Sequence, residues 1–286
     1  MLNSTFKKAA IFAGKGAAIL FLGASITLST PQITTADTKG HQTVFNVKFG
    51  GISVGKMTFG LSVDGKDYKF IGNGKTEGLA DWFASGKANI QSTGKLDGDQ
   101  LIAGNHYLSV TEKKKVAVLK MAFKNGEVES VFLKPDKRKV KTEPKYAVIT
   151  PDQLKNVVDP ASTLIVPVDI AKAKDPNSVC GRTFKVYDGD TRFDMAMSYK
   201  RNAKISTKGY DGFTYVCKLK YVPVAGHKRN HKNTKRMAEN NDMEIWLAPV
   251  DGGNETQSIF TAIRIVVPTW LGTFSAEPIY FGPAKS

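Results

Sequence analysis

Apolar and polar residues alternate one for one along most of this chain. Phe45, Val47 and Phe49 are separated by Asn46 and Lys48, and Met57, Phe59, Leu61 and Val63 by Thr58, Gly60 and Ser62. Phe193, Met195, Met197 and Tyr199 repeat the pattern, as do Phe213, Tyr215, Cys217, Leu219 and Tyr221. A period of two sets one face of a strand on a core and the other in water. Between these runs stand Asp64-Gly65, Asp97-Gly98, Asn125-Gly126, Asp188-Gly189, Asp211-Gly212 and Asp251-Gly252. Such dipeptides suit tight hairpins because both residues tolerate positive φ. Strands joined this way are antiparallel neighbours. The expectation is a mainly β fold: an antiparallel meander curled into a barrel, half-barrel or spiral that limits exposed edges.

The middle of the chain breaks the pattern. Thr150-Pro151-Asp152-Gln153 has the form of a helix start, with Thr as cap, Pro in the first turn and Gln closing a capping box. Asp159-Pro160 opens a second short helix through Leu164 and Ile165, ended near Pro167. Two short helices therefore interrupt the sheet between about 150 and 175. Residues 226–241 (GHKRNHKNTKRMAENN) are polar and basic, and read as a mobile hairpin tip or loop. No linker is evident, which favours one β-rich domain over 37–286. Two β halves divided near the insert are the alternative.

The first 36 residues follow another logic. Lys7, Lys8 and Lys15 form a basic start, and Gly16 to Leu28 is an apolar run of 13 residues. That is short of the roughly 20 residues needed to span a bilayer core. Thr34-Thr35-Ala36 before Asp37 is a small-residue cleavage pattern. Residues 1–36 read as a cleaved signal peptide and the mature chain as periplasmic, with an uncleaved anchor as the alternative. Cys180 and Cys217 are the two cysteines. An oxidising compartment allows them one intramolecular disulfide, and two free buried thiols are the other possibility.

The formal charge is +15, of which the three leader lysines account for three, leaving +12 after cleavage. Basic residues cluster at 113–115, 134–141 and 228–236, including Lys228, Arg229 and Lys232. Nucleic acid is a poor partner, because aromatic and basic residues do not interleave. Anionic envelope surfaces suit the charge better: phospholipid headgroups, lipopolysaccharide phosphates or cell-wall polymers. Charge serving solubility alone is the bland alternative. Gly74-Lys75-Thr76 lacks the glycine of a phosphate loop, since Lys69 stands there. His227 and His231 have metal-ligand spacing, but Lys228, Arg229 and Lys232 around them would repel a cation. His41 and His106 read as isolated surface residues. No G-x-S-x-G elbow occurs in the mature chain, and no residue is nominated as catalytic, metal-binding or cofactor-binding.

Further along, a set of segments resembles a known family. These are Gly50-Gly51-Ile52-Ser53-Val54-Gly55, Asp159-Pro160-Ala161-Ser162, Cys180-Gly181, the stretch from Val186 to Asp194, Tyr221 to His227, and Trp246-Leu247-Ala248-Pro249. Together they resemble the bacterial envelope proteins of domain of unknown function 3108, over most of residues 41–282. The resemblance implies an architecture like that of periplasmic lipoprotein carriers, whose curved sheet holds acyl chains in a groove closed by short helices. It makes the 150–175 insert the lid or plug. The residues themselves read as structural: Arg192 and Asp194 share a strand face, two residues apart, placed to pair across the hairpin, and a bridge from Cys180, just before one strand, to Cys217, on the apolar face of a later one, would pin neighbouring strands.

Three functions follow as expectations. The leading one is a non-enzymatic protein that binds an apolar or amphiphilic envelope component, lipid or lipoprotein, on the concave face. Phe193, Met195, Met197, Phe213 and Tyr215 would line the groove, and Lys228, Arg229 and Lys232 would draw anionic headgroups. The second is an envelope scaffold with a solid core. The third is a hydrolase whose site is dispersed through the sequence.

Overall fold

The computed structural model describes residues 40–77, 85–136 and 141–285. The leader read over 1–36 lies outside these residues.

The described chain forms fourteen strands of one antiparallel sheet. The first seven are β1 (Gly40–Phe49), β2 (Ile52–Asp64), β3 (Asp67–Thr76), β4 (Gly86–Asp97), β5 (Gln100–Glu112), β6 (Lys115–Lys124) and β7 (Glu127–Lys134). After the insert come β8 (Ile165–Asp169), β9 (Thr183–Tyr187), β10 (Arg192–Thr207), β11 (Tyr210–Ala225), β12 (Met243–Asn254), β13 (Gln257–Thr269) and β14 (Gly272–Pro283). The spatial order runs from β7 down to β1, then from β14 down to β9. The first and last strands therefore pair in the middle of the sheet, from His41 opposite Pro283 to Phe49 opposite Phe274.

Hairpin turns alternate between two ends of the curled sheet. One end carries Gly50-Gly51, Lys113-Lys114, Trp270-Leu271 and the 226–241 connection. The opposite end carries Gly65-Lys66, Gly98-Asp99, Asn125-Gly126, Lys208-Gly209 and Glu255-Thr256. We call them the tip end and the cleft end.

The strands do not close on each other. Residues 155–158 fill the seam instead. Lys155 bridges to Glu127 at the edge of β7, and Val157 N donates to Gly126 O at 3.1 Å. On the other side Val158 N donates to Lys185 O at 2.8 Å, and Tyr187 N to Val158 O at 2.9 Å.

The interior is filled by the insert. Val157, Val158, Val166, Val168, Val179 and Cys180 are buried against Leu119, Met121 and Phe123 of β6 and Leu247 and Phe260 across the sheet. Ala161 and Ile165 pack on Leu61, Phe70, Leu96 and Ile259. Of the two roles read for the insert, the geometry is that of a plug. Cys180, ending a short helix (Pro176–Cys180), is bridged to Cys217 of β11 with a Cα–Cα distance of 5.5 Å.

Several local readings are corrected. Pro151–Leu154 and Ser162–Leu164 are short 3₁₀ helices rather than α-helices, and the first opens as the sequence predicts, with Pro151 in its first turn and the Thr150 N–H donating to Gln153 Oε1 at 3.0 Å. Ile165 and Pro167 belong to strand β8, which takes the edge of β13 beyond the reach of β14, at Gln257 to Thr261. A buried strand reads as a continuous apolar run, so periodicity could not separate it from a helix. Residues 226–241 contain a helix, Lys232–Glu239, where a loop was expected. Asp211-Gly212 and Asp251-Gly252 lie inside β11 and β12. The β10–β11 turn is made three residues earlier, at Lys208-Gly209, where Gly209 supplies φ of 89°.

Candidate functional site

A cleft of about 1330 Å³ opens at the cleft end, between the first half of the sheet and the plug. Its first wall is built by β3, the end of β4, the start of β5 and the β6–β7 turn, and the facing wall by Asn156–Val158 of the plug with Arg182 and the start of β9, Thr183 to Lys185. Leu101, Ala103, Phe123 and Phe184 give it an apolar lining, while Lys69, Lys95, Lys124, Arg182 and Lys185 bring positive charge to the same space. Asp64, Asp67 and Asp99 also line it, so the five cations exceed the acids. Arg182 is held by Nη1 on Asp99 O at 3.2 Å and Nη2 on Ser178 O at 2.8 Å. Its Nε is buried without a hydrogen-bond partner. Burial pushes this guanidinium below its ordinary pKa, and the Asp99 charge opposes that shift.

Behind the cleft lies a buried polar cluster built on the Asp159-Pro160-Ala161-Ser162 segment. Asp159 is fully buried. Its Oδ1 accepts from Ser92 Oγ of β4 at 2.8 Å and lies 3.0 Å from His106 Nδ1 of β5. The same oxygen accepts from the backbone N–H groups of Ala161 and Ser162 at 3.0 and 3.1 Å. Oδ2 accepts from Ser162 Oγ at 2.5 Å. Ser162 Oγ in turn pairs with Tyr68 OH of β3 at 2.8 Å. Burial works to raise the Asp159 pKa, but hydrogen bonds from His106, Ser162 and Ser92 hold the carboxyl below its ordinary value. Burial pushes the Tyr68 phenol up, with the Asp159 charge adding to it.

A serine, a histidine and an aspartate in mutual contact invite comparison with a hydrolytic triad. The geometry differs. Ser92 Oγ is 2.9 Å from His106 Nδ1, the same ring nitrogen that faces Asp159. A triad needs the serine on one ring nitrogen and the carboxylate on the other. Ser92, His106 and Asp159 are also all buried, so a substrate has no approach to them in this conformation. What the arrangement does is fasten the plug to three successive strands.

His106 was read as a surface residue and is 4 % exposed, and His41, read likewise, is 6 % exposed. Both occupy inward positions of their strands, where alternation would have put an apolar residue. The signal available for His106 was the Asp-Pro-Ala-Ser segment, whose aspartate needs donors once it is buried.

The proposed groove residues fall elsewhere. Met197 is buried, and Phe193, Met195 and Tyr215 are half-buried against the main core. Tyr215 OH donates to the carbonyls of Ala173 and Lys174, so the plug covers that part of the sheet. Phe213 sits near the β10–β11 turn and is 72 % exposed. None of these five residues is among those lining the cleft. Lys228, Arg229 and Lys232 lie at the tip end, away from it, with Arg229 Nη2 bound to Glu143 at 2.5 Å. His227 and His231 share no helix, because His231 only caps Lys232–Glu239. No group of three metal-ligating side chains occurs among the described residues.

The distinctive stretch around Asp188 is structural. Asp188 Oδ1 accepts from the N–H groups of Asp190 and Thr191. Arg192 Nη1 binds Asp194 Oδ1 at 2.6 Å within β10 itself, and Arg192 Nε donates to Gln153 O at 3.0 Å. In the last family segment, Trp246 is buried under the guanidinium groups of Arg201 and Arg264, at 5.3 and 4.7 Å from the ring.

The model of the family described as protein of unknown function (DUF3108) matches residues 44–277. No curated protein matches the chain. Among solved structures, a beta-barrel-like protein of domain of unknown function DUF1849 from Brucella abortus is similar over 87% of this chain and 99% of its own, at 10% identity and a TM-score of 0.47. The chain belongs to the DUF3108 family.

Proposed function

We propose that this DUF3108 protein is a non-enzymatic, exported binder of an amphiphilic envelope component, which it takes into the cleft beside the plug. The observation that supports this reading is the cleft itself: about 1330 Å³, with Leu101, Ala103, Phe123 and Phe184 beside Lys69, Lys95 and Arg182. Small-molecule sites combine a largely apolar wall with a few placed polar groups. Here the acyl part of a ligand meets the apolar lining while its acidic head meets the cations. Each buried methylene contributes about 0.8 kcal/mol. The leader over 1–36 would place the chain in the compartment where such molecules occur, and would also allow the disulfide to form.

Native mass spectrometry of the chain purified from a periplasmic extract tests the reading. A bound lipid-sized mass is expected, with a thermal shift on adding lysophosphatidylglycerol. Placing a larger ring on the half-buried cleft wall, with Leu101→Trp, should abolish that shift while the variant still melts cooperatively. A chain that is always empty, and whose melting ignores the lipid, would overturn it.

A second reading, an envelope scaffold with a solid interior, draws on a different observation. The concave face is occupied by the plug, with Val157, Val166 and Val179 all buried. In-cell crosslinking that recovers partners from a lipid-free chain would favour it.

A further inference from the structure

The β13–β14 hairpin turns through two residues, since Thr269 pairs with Gly272. Such turns favour Asn, Asp or Gly. This one holds Trp270 and Leu271, which are 67 % and 40 % exposed. The fold gains no burial from placing two bulky apolar side chains there. The neighbouring β1–β2 hairpin does the same. Its turn is Gly50-Gly51, and Ile52 beside it is 63 % exposed. The two tips are joined, because Gly50 N donates to Thr273 O at 2.9 Å. Three large apolar side chains thus project from adjacent hairpins at one end of the molecule.

Cations surround them. The helix Lys232–Glu239 lies at the same end, and Asn240 Nδ2 at its close donates to Pro268 O at 2.7 Å, tying it to the hairpin. The Arg236 guanidinium sits 4.6 Å from the centre of the Trp270 ring. From Lys228 to Glu239 the chain carries Lys228, Arg229, Lys232, Lys235 and Arg236 against Glu239, and with Arg229 already paired to Glu143 and Lys235 3.9 Å from Glu239 the excess rests on Lys228, Lys232 and Arg236.

From this we infer that the tip end is a docking surface for a bilayer containing anionic lipid, with Trp270, Leu271 and Ile52 entering the interface and the 228–239 segment holding acidic headgroups. Trp is favoured at the depth of lipid headgroups. Basic side chains near an anionic leaflet add attraction that salt screens. A bilayer fits better than a protein partner because the apolar residues protrude on two tips rather than lining a concave pocket. The surface is independent of the cleft, which opens at the opposite end and so faces away from a membrane docked here.

Co-sedimentation of the mature chain with protein-free vesicles tests this. Vesicles of phosphatidylcholine with about one third phosphatidylglycerol should pellet the chain, with pure phosphatidylcholine weaker on the order of tenfold or more. Trp270→Ser with Leu271→Ser should lower affinity for the anionic vesicles on the order of tenfold. Lys232→Gln, Lys235→Gln and Arg236→Gln together should erase the preference for anionic lipid. All these residues are exposed at the surface or on its helix, and unchanged melting of each variant checks that the fold survives. A wild-type chain that stays in the supernatant would refute the inference. So would pelleting indifferent to the Trp270 and Leu271 changes, or binding to native membranes with none to protein-free vesicles, which would point to a protein partner.

Discussion

His106 Nδ1 lies 3.0 Å from Asp159 Oδ1, and the two side chains, 53 positions apart in the chain, are both shut away from solvent. The contact joins the plug to the sheet. Asp159→Ala would leave the Ser92 and Ser162 hydroxyls and the His106 ring without their shared acceptor. Stranding buried polar groups in this way should cost about 3 kcal/mol or more, read from urea denaturation of the variant against the parent chain. Because the folded carboxyl titrates below its ordinary value, its stabilisation is complete above the unfolded pKa, 3.8, and is lost as pH falls through the folded value. The Asp159→Ala protein should therefore lose less stability than the parent over the same acid range.

His41 gives a second acid response in a different window. Its ring meets Phe281 edge to face with centroids 4.0 Å apart, and burial lowers its pKa from 6.5 to about 4. The unfolded chain takes up this proton more readily, so stability declines as pH drops from 6.5 to about 4 and levels off below that. The loss should approach about 3 kcal/mol. His41→Asn should flatten the melting temperature across this interval relative to the parent, whatever its effect at neutral pH.

Gly94 of β4 stands opposite a bulge in β5, where the partners pass from Asn105 to Ala103 and leave Gly104 unpaired. A Cβ added there would come 2.7 Å from the Tyr68 ring and its hydroxyl, and would collide with the Ile102 carbonyl. Tyr68 could then no longer reach Ser162 without moving the strand. Gly94→Ala should destabilise by about 2 kcal/mol or more. Tyr68→Phe, which removes the hydroxyl and spares the space, should cost about 1 kcal/mol. Paired chemical denaturation curves distinguish the two, and equal losses would contradict the steric account.

Reduction of the Cys180–Cys217 bridge releases a loop spanning 37 positions. In the loop-entropy account that is worth about 4 kcal/mol. Cys180→Ala with Cys217→Ala should reproduce the effect of reductant, and the variant's melting should ignore added dithiothreitol.

The alternation of Phe45, Val47 and Phe49, and of the runs after them, was enough to announce an antiparallel curled sheet, because a half-buried strand writes its two faces directly into the chain. The Asp-Gly dipeptides were a weaker guide. Asp64-Gly65 and Asp97-Gly98 make turns, while Asp211-Gly212 lies within β11 because Gly209 turns the chain first. The plug was visible as an interruption, but β8 was not, since Ile165 to Val168 is buried throughout and carries no period. The helix Lys232–Glu239 was hidden because it has no buried residue. The cluster at Asp159 needed tertiary information. Ser92 and His106 are polar residues at inward positions, and only the arrival of a carboxylate from the far side of the insert explains them. The cleft was illegible for the same reason, being a gap between segments distant in the chain.

The pairing of β1 with β14 has a consequence for how the chain comes together. One edge of β1, ten residues long, stays bare until Gly272 to Pro283 is available. A nascent chain cut short before that point would present a ready template for mispairing with another copy. The central seam of the described sheet thus forms only once β14 is in place, however early β1 to β7 have paired.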